Sequence, residues 1–165
     1  MMALLISVIF PALLVMAAVN DFRFYKIPNN ISGLLVVSWP FAALFFGMGL
    51  QDMAMSAGVA ALVLVAGFIL FAFKVMGAGD SKLIAASSLW VGVAQLPMFV
   101  LTFAVAGGFL ALFIMSFRRM PLPVMIATHS WIDGLYNRKQ VMPYGIAIAI
   151  GGIIVWPETP FFAFG

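Results

Sequence analysis

Two aspartates interrupt the apolar runs of this chain. Asp21 closes the first run, and Asp80 follows Gly77-Ala78-Gly79 and opens another. A carboxylate near membrane depth marks a functional site by default. Taken alone, Asp80 reads as a helix N-cap, because it follows a Gly-rich turn and precedes an apolar run. Asp21 does not fit that role. It sits at a helix C-terminus, where the macrodipole disfavours negative charge. Arg23 and Lys26 follow at spacings that no helix face pairs. If the two carboxylates approach closely, repulsion leaves one proton shared between them. The ionised group then takes a proton from water while the protonated group polarises a carbonyl. That chemistry is peptide hydrolysis by a carboxylate pair, with no metal, cysteine or serine.

The neighbouring residues have two readings each. Gly77 and Gly79 either admit an extended peptide close to the backbone or form a plain turn between helices. Lys82 lies two residues past Asp80, so the two do not share a helix face. Its ammonium either snorkels to lipid headgroups or tunes the pair electrostatically. Asp52 reads as a solvated turn residue and Glu158 as an exposed tail residue. His129 and Asp133 have helical spacing, but metal sites take three or four ligands. No metal and no cofactor is expected. The chain has no cysteine, which excludes disulfides and Cys-based zinc sites.

The elements that must hold these groups are membrane helices. Of 165 residues, 65% are hydrophobic and 8% charged. A water-soluble domain is nearer half apolar and a quarter charged. The runs are continuous rather than alternating, which favours helices over barrel strands. Six segments are expected: about 3–20, 31–50, 53–73, 80–93, 97–117 and 144–156, with Pro40 a kink in the second. Together they make an all-α bundle of six transmembrane helices, a single domain over 1–165. The N-terminal run has no basic segment before it and is longer than a signal-peptide core, so it reads as the first span.

The eight Lys and Arg residues give the orientation. Arg23 and Lys26 lie between segments 1 and 2, Lys74 and Lys82 at the join of 3 and 4, and Arg118, Arg119, Arg138 and Lys139 between 5 and 6. All fall on one side of a six-span chain, which the positive-inside rule makes cytoplasmic. Both termini then face away, and both aspartates lie at the cytoplasmic face. These dispersed cations do not suggest nucleic acid. In the longest loop, Ile126, Ile132, Leu135 and Tyr136 either form the apolar face of a helix on the membrane or belong to a connecting loop.

The stretch "NDFRFYKIPNNIS" with the later "GAGDSKL" resembles the type IV prepilin peptidases, membrane aspartic proteases of the GxGD type. The first half supplies Asp21 followed by Ile27, Pro28 and Asn29. The second supplies Gly77, Gly79, Asp80 and Lys82. "MPYGIAIAIGG" is similar to the Pro-Tyr-Gly stretch of short members linked to Flp/Tad pili. The resemblance covers about residues 10–152. It implies catalysis by Asp21 and Asp80 at the cytoplasmic face of the bacterial inner membrane. It also implies type IV or Flp-type prepilin and pseudopilin substrates, whose short basic leader precedes an apolar helix. Larger members carry a cysteine-containing insertion and methylate the new pilin N-terminus, and this chain has no such insertion. Presenilin-like proteases carry Tyr-Asp where this chain has Asn20-Asp21. The competing expectations are a small proton-coupled transporter or channel using the same aspartates, and a membrane scaffold in which they only cap and pair.

Overall fold

The computed structural model describes residues 1–119 and 142–162. Five α-helices follow in order: α1 (Met2–Phe24), α2 (Asn29–Phe45), α3 (Leu50–Ala72), α4 (Ala78–Phe117) and α5 (Tyr144–Val155). A short 3-10 turn, Trp156–Glu158, follows α5. No strand occurs among the described residues. α1, α3 and α4 are long and apolar enough to cross a membrane, while α2 and α5 are shorter apolar helices. The chain is a helical membrane protein. Its helices expose large apolar side chains all around, among them Leu62, Phe68 and Phe109, as lipid-facing helices must.

Six spans are expected from the sequence, and five helices are found among the described residues, because segments 4 and 5 meet without a loop as the two limbs of α4. The backbone breaks at Gly92, with φ 77° and ψ 166°, at the edge of the join expected between about 93 and 97. Glycine adopts that conformation without the clash a Cβ would bring. Pro97 lies five residues past this break, inside the second limb.

The two limbs of α4 run in opposite directions. Asp80 is near Asp21, and the rings of Trp90 and Phe10 stack at 5.7 Å. Residues 78–91 are therefore antiparallel to α1. α5 is also antiparallel to α1: Gly145 bonds to Asp21, while Gly152 faces Leu14 and Phe10. Phe99 and Phe103 pack on Gly152 and Gly151, and Gly107 faces Tyr144. Residues 93–117 thus return antiparallel to α5, towards the aspartates. Small residues let α5 sit this close, as in other membrane helix pairs.

Phe10, Leu14, Leu35, Leu83, Trp90 and Phe99 form the sealed centre of the bundle. The Trp90 indole N–H donates to the Leu35 carbonyl at 2.9 Å, fastening α4 to α2. This bond satisfies a polar group that would be costly to bury unpaired. Pro40 lies within α2, which continues as one helix through it. The surface-helix reading of Ile126, Ile132, Leu135 and Tyr136 lies outside the described residues, as do the His129–Asp133 pair, Arg138 and Lys139.

Candidate active site

Asp21 lies in the last turn of α1 and is 4% exposed; Asp80 lies in the first turn of α4 and is 8% exposed. The two carboxylates are close enough to repel each other. Burial of this degree is expensive for a charge, so each carboxylate needs a polar contact. Asp21 Oδ2 accepts a hydrogen bond of 2.7 Å from the backbone N–H of Gly145. Asp80 lies against the backbone of Gly77, its Oδ2 2.7 Å from where a Cβ would stand. The same test at Gly145 puts a Cβ 2.9 Å from both Cβ and Oδ2 of Asp21. A side chain at either glycine would therefore displace the neighbouring carboxylate.

Asp80 is not the N-cap of its helix. That position belongs to Gly77, in an extended conformation and without a side-chain cap. Asp80 is the third helical residue, so its carboxylate stays in the favourable field of the helix N-terminus, against the Gly77 backbone. The neighbouring Ser81 fixes this turn. Its hydroxyl donates to the carbonyl of Gly67 at 2.9 Å and stands 3.1 Å from that of Gly77. α3 passes Ser81 so closely that a Cβ on Gly67 would lie 2.9 Å from the Ser81 Cβ.

The connection after Asp21 is equally constrained. Tyr25 takes the left-handed conformation, φ 52°, and its N–H closes α1 on the Asp21 carbonyl. Ile27 is buried and packs against Gly79, 3.3 Å from the place of its missing Cβ. Pro28 is the N-cap of α2, and Asn29 is the first residue of that helix. Lys82 Nζ donates to Asn29 Oδ1 at 3.0 Å. Lys82 therefore ties the two motif halves together, a contact that neither sequence reading of this residue contains. Ile27, Pro28, Asn29, Gly77, Gly79, Lys82 and the two aspartates all gather at one end of the bundle.

Arg23, Lys26 and Lys74 flank the same end, and Arg118 and Arg119 follow the limb that returns to it. Asp52 and Glu158 lie together at the opposite end, on a shared cavity. Among the described residues, no three His, Asp or Glu side chains are grouped to hold a metal. Gly145 is the contributor that the sequence reading leaves without a role. Its signal is the Pro-Tyr-Gly placed just before an apolar run, which predicts a helix start but not what that start touches.

A family model described as the type IV leader peptidase family matches residues 8–112, more than half of the chain. No curated protein and no solved structure gives a significant match. The matched span contains both aspartates and both motif halves, while Gly145 lies beyond it. The chain belongs to the type IV leader peptidase family.

Proposed function

We propose that this protein is an aspartic endopeptidase that removes the basic leader from type IV or Flp-type prepilins and pseudopilins. Cleavage takes place at the cytoplasmic face of the bacterial inner membrane. The observation that carries this reading is the meeting of two buried carboxylates, Asp21 and Asp80, from separate helices at one end of the bundle. Like charges so placed favour a state with one proton between them. The ionised carboxylate removes a proton from water, and the resulting hydroxide attacks the peptide carbonyl carbon. The protonated carboxyl group donates to the carbonyl oxygen as negative charge develops there. Collapse of the tetrahedral intermediate expels the new N-terminal amine, which takes up a proton.

The orientation is part of the proposal. Counting the two limbs of α4 separately gives six crossings, with α2 and α5 as short ones. The cations flanking the aspartate end then face the cytoplasm, and the chain termini face the other side. A leader that stays cytoplasmic meets the carboxylates there without crossing the membrane.

The test is cleavage of a prepilin by the purified protein, with Asp21→Asn and Asp80→Asn beside the wild type. Each substitution is expected to slow cleavage by about 100-fold or more, the scale of a lost general acid or base. Membrane insertion should be unchanged. Wild-type cleavage by both variants would overturn the reading.

A further inference from the structure

A groove of about 810 Å³ opens between α2, α3 and the first limb of α4. It exists because α2 and α3 both pack on α4 but barely on each other. Asn29 and Lys82, the hydrogen-bonded pair beside the aspartates, stand at one end of it. Pro40 and Leu89 stand at the other. From Asn29 to Pro40, α2 rises about 16 Å, half the thickness of a hydrocarbon core of about 30 Å. The groove therefore runs from the site's edge to mid-membrane.

We propose that this groove receives the apolar helix of the substrate and so delivers the cleavage junction to Asp21 and Asp80. The inference rests on the peptidase reading above. Two observations support a helix as the occupant. About half of the lining residues are small, with Ala57 and Ala61 four apart on α3 and Ala85 and Ala86 on α4. Membrane helices approach one another through small residues at this spacing, whereas lipid tails need no such lining. Continuity with the site is the second: Lys82 at the mouth is two residues from Asp80, so a helix in the groove ends beside the carboxylates.

Ala57 and Ala61 are exposed in the groove, so larger side chains fit there without entering the core. The double variant Ala57→Phe/Ala61→Phe is expected to cut an intact prepilin about tenfold more slowly or worse, as added bulk competes with the incoming helix. A photo-crosslinking residue at position 61, in the Asp80→Asn background, should capture the co-expressed prepilin through its apolar helix. The same residue at Val15, exposed on α1, should not. Wild-type cleavage by the double variant overturns the proposal, and so does capture of lipid alone from position 61. If the wild-type protein cuts no prepilin, the peptidase reading falls and this one with it. Cleavage by wild type but not by Asp80→Asn, with an unaffected groove variant, removes the groove alone.

Discussion

The backbone N–H of Gly145 donates to Asp21 Oδ2 at 2.7 Å, joining the start of α5 to the last turn of α1. The contact depends on glycine, because a Cβ would stand 2.9 Å from Asp21 Oδ2. Gly145→Ala keeps the donor but pushes the carboxylate aside. The expected result is a loss of about 10–100-fold in cleavage rate, since small displacements of a reacting group are costly. The measurement is kcat on purified prepilin, with thermal stability recorded in parallel. A rate equal to wild type would show that Asp21 does not need this donor.

Asp21 and Asp80 should behave as a unit. If they share one proton and one water, removing either ends the chemistry, and removing both costs little more. The Asp21→Asn/Asp80→Asn double variant is therefore expected to be no slower than the worse single variant. Multiplying losses would mean two independent roles, such as capping on one side and charge pairing on the other.

Much of this site is legible in the sequence, and the reasons differ by residue. Asp21 and Asp80 stand out because carboxylates are rare in a chain with 8% charged residues. Their common end follows from the dispersal of Lys and Arg among alternate loops. Gly145 stays hidden because a backbone donor leaves no side-chain signature, and its partner is 124 positions away. The capping reading of Asp80 is right about the backbone and wrong about the position: the helix begins two residues earlier, at Ala78, with Gly77 as its cap, and the Asp80 carboxylate accepts from the Gly77 backbone N–H. The reversal in α4 is legible to within a residue, since the expected fourth segment ends at about 93 and the backbone breaks at Gly92; what the sequence does not show is that the second limb follows without a loop. The break itself needs only the φ of Gly92. The groove is not legible at all, since it depends on two helices failing to touch.

Lys82 and Asn29 form a pair whose partners come from the two motif halves. Both residues are exposed, so the bond itself adds little to stability. Its role is to hold α2 against the first turn of α4, beside Asp80. Lys82→Met and Asn29→Ala should each lower cleavage a few-fold, and the double variant should match either single one. A double-mutant cycle on cleavage rate measures the coupling. Additive losses would mean that the two residues act separately, for instance with Lys82 at the lipid surface.

Gly92 and Gly108 separate the two physical effects of replacing glycine. Neither has an atom within 4 Å of the place a Cβ would occupy, so space is not at issue. Gly92 has φ 77° and ψ 166°, a region that costs an L-residue about 1–3 kcal/mol. Gly108 lies within the helical second limb of α4, where alanine is favoured by about 1 kcal/mol. Gly92→Ala is thus expected to lower the thermal stability of the purified protein, and Gly108→Ala to leave it unchanged or raise it. If α4 were one straight helix, both substitutions would stabilise. The contrast therefore tests whether the chain reverses at Gly92, which brings Phe99, Phe103 and Gly107 back along α5. Those contacts seat α5, and α5 carries the Gly145 donor. Any activity lost in Gly92→Ala should consequently follow the loss of folded protein, with the remaining molecules turning over at the wild-type rate.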